Sequence, residues 1–217
     1  MRDRFDVVVF DWDGTVIDST ATIARSIMAA AEDLGLPVPP LEQALHVIGL
    51  GLRDALARAV PSLPPERAGE FSARYRYHYF AAEDTLALFD GAREFIAALH
   101  ASGARLAVAT GKNSPGLARA LDSTALRRFF SATRCADQTH PKPHPAMLLE
   151  LSQELAVPTD RMLMIGDTTH DLEMARAAQV AAIGVTYGAH PKEDLAQCEP
   201  LALVDSMKQL HALLLPA

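Results

Sequence analysis

The segment Asp11-Trp12-Asp13-Gly14-Thr15 directly follows the apolar run Val7-Val8-Val9-Phe10. Side chains alternate along a strand, so both carboxylates leave the strand end on the same side, and Gly14 permits a sharp turn after them. Two adjacent carboxylates repel each other unless a cation or shifted pKa values relieve the repulsion. The pair suits a nucleophile with an acid-base neighbour, and the alternative is an acidic turn that caps a helix. Trp12 points the other way and is predicted to pack in the core.

Three further apolar runs, at 106–109, 162–165 and 181–185, alternate with segments of helical periodicity. Uniformly apolar runs are typical of parallel strands that helices cover on both faces. Asn113 or Ser114 can cap one of the intervening helices, and Thr168 or Thr169 can open another. The alternation predicts an α/β fold with a parallel sheet, whose ligands collect at the carboxyl ends of the strands.

Residues 19–86 interrupt this alternation because they show helical patterns and no strand pattern. The predicted helices are 23–34, 41–47, 52–60 and a long helix from Pro65 toward Ala82. An all-helical segment inserted after the first strand predicts a cap domain at 19–86 above a core of 1–18 and 87–217, with hinges near 17–18 and 88–91. The aromatic and basic stretch 74–80 is interpreted as a cap helix with one packed face rather than a nucleic-acid surface.

Acidic residues recur in Gly166-Asp167-Thr168-Thr169-His170-Asp171, which follows another apolar run. Asp167 is predicted at the strand end, with Asp171 one helical turn behind it. Carboxylate oxygens of this kind suit Mg²⁺. The alternative is that both acids only stabilise a helix N-terminus.

Two more motifs carry groups that can bind phosphate. Lys142 lies in the stiff stretch Pro141-Lys142-Pro143-His144-Pro145, where it can neutralise carboxylates and a phosphoryl group or be an ordinary solvated lysine. Thr110-Gly111-Lys112 ends the second strand, and its hydroxyl and amides can hold phosphate oxygens or form a plain turn. The histidines His140, His144 and His170 are interpreted as loop residues rather than a metal cluster.

Composition narrows the function classes. The chain has 217 residues, a formal charge of −7 and 49% hydrophobic residues. This composition excludes general disorder, and the acidic balance argues against non-specific nucleic-acid or anionic-membrane binding. Its apolar runs are far shorter than the roughly 18 residues of a membrane span. Cys135 and Cys198 form no zinc or disulfide pattern, which favours a reducing cytoplasm.

The motifs DWDGT at 11–15, the strand end at Thr110, KPHP at 142–145 and GDTTHD at 166–171 resemble, in this order, the four motifs of the haloacid dehalogenase superfamily of phosphohydrolases. The resemblance covers the whole chain and implies a Rossmann-like core with a type C1 helical cap. The stretches Asp18-Ser19 and Phe89-Asp90-Gly91 are most similar to the phosphoglycolate phosphatase-like branch, which contains enzymes with varied substrates.

The resemblance implies a role for each matching residue. Asp11 matches the nucleophile that becomes phosphorylated, and Asp13 matches the acid-base residue. Thr110 matches the hydroxyl that binds the phosphoryl group, and Lys142 matches the lysine that steadies the nucleophile.

A Mg²⁺ site is implied as well. Its ligands would be Asp11, the backbone carbonyl of Asp13 and Asp167, with Asp171 supporting the metal directly or through water.

The substrate contacts are less sharply indicated. Gly111 and Lys112 adjoin the phosphate-binding threonine. Arg53, after Gly49-Leu50-Gly51, falls where related caps cover the core site, so it either pairs with a substrate carboxylate or is a surface arginine on a helix-to-helix turn.

These observations favour a Mg²⁺-dependent phosphatase acting on a small phosphorylated metabolite. A phosphosugar mutase of the β-phosphoglucomutase type is the alternative, and Thr15 counts against it because such mutases usually carry valine there. A catalytically idle member of the fold that serves as an interaction module is a third hypothesis. The presence of Asp11, Asp13, Lys142 and Asp167 counts against it.

Overall fold

A six-stranded sheet forms the centre of the protein, whose computed structural model describes residues 4–215. The strands are β1 (Val7–Phe10), β2 (Arg105–Thr110), β3 (Phe130–Cys135), β4 (Met162–Gly166), β5 (Ala181–Val185) and β6 (Ala202–Val204). All neighbours are parallel, in the order β3-β2-β1-β4-β5-β6. The predicted α/β fold with a Rossmann-like parallel sheet is confirmed.

The middle of this sheet aligns the motifs. Phe10, at the end of β1, pairs with Val108 on β2 and with Ile165 on β4. The segments that follow these three strands therefore leave the same edge side by side. The strand order also reverses direction between β1 and β4, and such a switch point is where open α/β sheets bind ligands.

The strands β3 and β6 were not predicted from the sequence. Both lie at the sheet edges, and β3 carries polar residues among its six positions while β6 has only three residues. Edge strands have one unpaired side and less covering, so they lack the apolar run by which a buried strand is recognised.

Ten α-helices lie within the described residues. They are α1 (Thr20–Asp33), α2 (Leu41–His46), α3 (Leu52–Ala59), α4 (Ala68–Glu83), α5 (Ala92–Ala101), α6 (Ser114–Ser123), α7 (Ala146–Leu155), α8 (Thr169–Ala177), α9 (Lys192–Gln197) and α10 (Met207–Leu214). Of the capping alternatives, Asn113 caps α6 by accepting a hydrogen bond from the Gly116 amide. Thr168 caps α8 in a capping box with Asp171.

Hydrophobic clusters cover both faces of the sheet. Val8 and Phe10 pack into one cluster with Trp12, whereas Val7 and Val9 pack into the other. This alternation follows from the two-residue period of a strand. The prediction that Trp12 packs in the core is confirmed.

A third cluster belongs almost entirely to the helical segment 19–86, with helices α1–α4 and the turns between them, and only Ala189 among its buried residues comes from outside it. The long helix expected from Pro65 starts instead with a 3₁₀ turn at Pro65–Arg67, and α4 begins at Ala68. Phe71 and Tyr79 are buried on α4 and Tyr75 is half-buried, so the expected single packed face is present.

The two connections between the helical segment and the rest of the chain lie side by side. Ile17 forms an antiparallel bridge with Leu88, and the Asp18 amide donates a hydrogen bond to the Ala87 carbonyl over 2.9 Å. The domain limits 1–18, 19–86 and 87–217 stay a prediction, and their outermost residues, 1–3 and 216–217, lie outside the described residues. None of the helices within residues 4–215 combines the length and apolar character of a membrane span.

Candidate active site

Asp11 lies at the bottom of a buried charge cluster, directly after β1. Lys142 donates a hydrogen bond from Nζ to Asp11 Oδ1 over 2.6 Å, and the same Nζ lies 2.6 Å from Asp171 Oδ1. All three side chains are at most 1% exposed. A lysine from the loop between β3 and α7 thus bridges carboxylates that follow β1 and β4.

Asp167 joins this cluster from the end of β4. Its Oδ1 accepts a hydrogen bond from the Thr15 hydroxyl over 2.8 Å, and its Oδ2 accepts one from the Ala189 amide over 2.8 Å. Asp171 accepts hydrogen bonds from the amide and hydroxyl of Thr168 through Oδ2. Asp171 therefore both caps α8 and faces Lys142, so the helix N-terminus and the site share this residue.

The carboxylates of this cluster outnumber its cations. Asp11, Asp167 and Asp171 each offer an oxygen within 4.8 Å of the others, while Lys142 supplies one positive charge. Asp11 Oδ2 is buried without a hydrogen-bond partner among the described residues. A buried acceptor without a partner is costly, and three close carboxylate oxygens are ligands that a hard divalent cation prefers. The residues present fit a divalent metal.

The pKa values of these buried groups reflect the same crowding of carboxylates. Burial raises the pKa of Asp11 to about 7, against the opposing effect of Lys142. Burial, followed by the charges of Asp11 and Asp171, holds the pKa of Asp167 well above its usual range. Burial alone would lower the pKa of Lys142, but the charges of Asp11 and Asp171 raise it. Lys142 is therefore an ammonium group, and an added cation would favour the ionised carboxylates.

Asp13 stands apart from this cluster. Its Oδ1 accepts a hydrogen bond from the Ser19 hydroxyl over 2.7 Å. Lys112 Nζ lies 2.9 Å from each of its two oxygens. The Asp13 side chain is thus held by its own ion pair.

Thr110 and Gly111 form the end of β2 beneath the helical segment. Thr110 is buried, and its Oγ1 accepts a hydrogen bond from the Lys112 amide over 3.2 Å. A Cβ on Gly111 would lie 2.5 Å from the carbonyl oxygens of both Gly49 and Leu50. Only glycine permits this approach of the α2–α3 loop to the strand end.

A cavity of about 490 Å³ separates the helical segment from the sheet edge. Asp11, Asp13, Thr110, Gly111, Lys112 and Arg53 all line it. Lys142, Asp167 and Asp171 are buried beneath the cavity rather than among its lining residues. Arg53 is exposed on α3, so the structure brings every predicted site residue to this cavity or to the cluster below it.

The sequence interpretation of His170 was wrong. His170 lies in the first turn of α8 and is buried, because the Thr168 capping box starts the helix before it. His170 Nε2 and His190 Nε2 each lie 3.0 Å from the backbone oxygen of His46, the last residue of α2. His140 and His144 are loop residues, as predicted.

Two contacts of the site were missed by sequence analysis. Ser19 binds Asp13 from just outside the first motif, and Tyr79 binds Lys112 from α4 over 2.9 Å. Helical periodicity indicated that one face of α4 is packed, but periodicity does not show what lies opposite that face.

The family model described as haloacid dehalogenase-like hydrolase matches residues 8–185. "Probable phosphatase IndB" of Dickeya dadantii is 36% identical, over 96% of this chain and 94% of that protein. The phosphoglycolate phosphatase of Salmonella typhimurium is 33% identical, over 94% of this chain and 90% of that protein.

The crystal structure of a "predicted phosphoglycolate phosphatase" from Haemophilus somnus is similar, with a TM-score of 0.85 and 27% identity over 97% of this chain and 98% of that chain. The sequence matches and the shared fold agree with the motif order and with the buried acidic cluster. The chain therefore belongs to the haloacid dehalogenase-like hydrolase family and is an enzyme of the phosphoric monoester hydrolase type.

Proposed function

We propose that this enzyme is a Mg²⁺-dependent phosphatase that hydrolyses small phosphomonoesters through a phospho-aspartate on Asp11. The observation that carries the proposal is the cluster in which Lys142 bridges Asp11 and Asp171 beside Asp167. Phosphoryl transfer asks a protein mainly for positioning and charge neutralisation. This arrangement supports both.

In the first step, a carboxylate oxygen of Asp11 attacks phosphorus, and the bond from phosphorus to the ester oxygen breaks. Lys142 keeps the attacking carboxylate oriented through its hydrogen bond to Oδ1. Asp13 in its protonated form gives its proton to the leaving alkoxide.

In the second step, Asp13 takes a proton from water, whose oxygen attacks the phosphorus. The bond between phosphorus and Asp11 then breaks, which releases phosphate and restores the carboxylate. We propose that the Thr110 hydroxyl and the amides after it hold the phosphoryl oxygens, which is supported by the position of Thr110, Gly111 and Lys112 in the cavity lining.

Asp11, Asp167 and the backbone carbonyl of Asp13 would hold the Mg²⁺, with Asp171 supporting it. When bound, the ion neutralises the negative charge on the phosphoryl oxygens. The helical segment 19–86 is proposed as a cap domain that excludes bulk water from the cavity while Asp11 is phosphorylated.

The substrate is proposed to be a phosphoglycolate-like or other small phosphometabolite. The relatives named phosphoglycolate phosphatase support this choice. Both cysteines are free thiols, which supports a cytoplasmic location.

The test is phosphate release from a panel of small phosphomonoesters that includes phosphoglycolate, with Mg²⁺ and with EDTA. Magnesium-dependent release is expected, and one clear best substrate would identify the natural reaction. If no ester releases phosphate but a phosphosugar is isomerised, the enzyme is a mutase. If neither reaction occurs, the phosphatase proposal is overturned in favour of an idle interaction module.

A further inference from the structure

Lys112 connects the helical segment to the carboxylate pair of the first motif. Its Nζ lies 2.9 Å from both oxygens of Asp13 and donates a third hydrogen bond, also over 2.9 Å, to the hydroxyl of Tyr79. An ammonium group has three donors. The two oxygens of Asp13 and the hydroxyl of Tyr79 therefore provide an acceptor for each of the three donors of Lys112.

Tyr79 is held rigidly in this position. Its side chain is buried on α4, and its ring stacks on Tyr75 with centroids 5.9 Å apart. The Lys112 ammonium also lies 4.8 Å from the centre of the Tyr79 ring, where a cation is attracted to the π-electrons.

The hydroxyl of Tyr79 stays protonated at neutral pH. Burial, followed by the charge of Asp13, raises the pKa of Tyr79 to about 12. The hydroxyl oxygen thus accepts the hydrogen bond from Lys112 as a neutral group. Without this acceptor, one of the three ammonium donors would lack a partner, and the direction in which Nζ approaches the Asp13 carboxylate would be less strictly fixed.

We propose that Tyr79 is a positioning residue, which acts from the cap through Lys112 to keep the ammonium on Asp13 and so orients the carboxyl group that transfers protons. Asp13 and Lys112 belong to the sheet edge and Tyr79 to α4, so the contact exists only while the helical segment lies over the sheet. This inference rests on the proposed function, because it assigns Tyr79 to the proton transfers of Asp13.

The test uses esters of similar size whose leaving groups become more basic in the order p-nitrophenyl, phenyl and benzyl phosphate. The kcat/KM of a phosphatase of this type reports the first step, in which only a basic leaving group needs the proton of Asp13. Tyr79→Phe keeps the ring and removes the hydroxyl. We expect kcat/KM to fall about tenfold for benzyl phosphate and less than about twofold for p-nitrophenyl phosphate.

Tyr77→Phe is the matched control, because Tyr77 lies on the same helix and is 64% exposed. Its kcat/KM values should equal those of the wild type across the series. A direct substrate contact or a structural role of Tyr79 would lower kcat/KM for all three esters alike, and that result would overturn the proposal.

Lys112→Met provides the second variant. It should lower kcat/KM for benzyl phosphate, and adding Tyr79→Phe to it should cause no further loss with this ester, since Tyr79 acts through Lys112. Additive losses would contradict the proposal. If Tyr79→Phe fails to fold, Lys112→Met alone is decisive, and an equal loss of kcat/KM with all three esters would contradict the proposal. If the wild-type enzyme releases no phosphate from any ester, the proposed function fails. If the wild type is active and Tyr79→Phe lowers kcat/KM equally for all three esters, only the role of Tyr79 fails.

Discussion

The sheet edge and the helical segment above it hold their charged residues in different ways. At the sheet edge, Asp11, Lys142 and Asp171 are at most 1% exposed and paired with one another. On the helical segment, Arg53 and Arg76 line the same cavity but are exposed. Buried charges need fixed partners, whereas exposed charges stay solvated and adaptable.

This difference separates two tasks. The sheet edge offers rigid groups for a reaction that every phosphomonoester shares. The helical segment presents an adjustable wall to the part of the substrate that varies. Changes below the cavity should therefore affect all substrates or the whole fold, while changes above it should affect particular substrates.

The largest effect is expected from Asp11→Asn. The amide is a poor nucleophile with nearly the same shape as the carboxylate, so turnover should fall by at least about 10⁴-fold while the fold is kept. Phosphate release and thermal melting check this outcome, with the exposed Asp160→Asn as control. Near-normal turnover of Asp11→Asn would show that Asp11 is not the nucleophile.

Lys142→Met should strongly destabilise the protein in EDTA. It leaves the carboxylates of Asp11 and Asp171 buried without their ammonium, which should lower the free energy of unfolding by about 3 kcal/mol or more. Urea denaturation measures the change, and Mg²⁺ should restore part of it. The exposed Lys192→Met should change it by less than about 0.5 kcal/mol. Equal losses for both variants would show that burial of the charges is not what distinguishes the sheet edge.

Gly111→Ala tests the contact between the two regions. The new Cβ would meet the carbonyl oxygens of Gly49 and Leu50 at 2.5 Å, so the α2–α3 loop must shift away from the strand end. A displacement of this size should lower kcat/KM by about 10²-fold for every substrate. Gly69→Ala is the matched control, since outside its own helical turn no atom lies within 4 Å of its new Cβ. Unchanged kinetics in Gly111→Ala would mean that this close approach has no part in turnover.

Arg53→Met should have the smallest effect and the most selective one. If Arg53 pairs with a substrate carboxylate, KM for phosphoglycolate should rise about fivefold while KM for phenyl phosphate stays unchanged. Arg58→Met on the same helix serves as control, because Arg58 does not line the cavity. A phosphoglycolate KM equal to that of the control would identify Arg53 as a surface arginine.

The four central strands were predictable from the sequence because each contains an uninterrupted apolar run, as expected for a strand that is buried on both faces of the sheet. The same physical rule explains the misses at β3 and β6, whose edge positions demand no such run. His170 was misplaced for another reason. It was grouped with the loop residues His140 and His144, although Thr168, which was recognised as a possible cap, starts the helix before it.

Motif order and spacing were enough to indicate the family, the α/β fold and the acidic cluster, because residues after parallel strands meet at one edge wherever the strands pair side by side. Contacts between that edge and the helical segment were decided only by the tertiary structure. Lys112 and Tyr79 are 33 residues apart along the chain. Their meeting depends on how α4 lies over β2, and no local pattern in either segment encodes that packing.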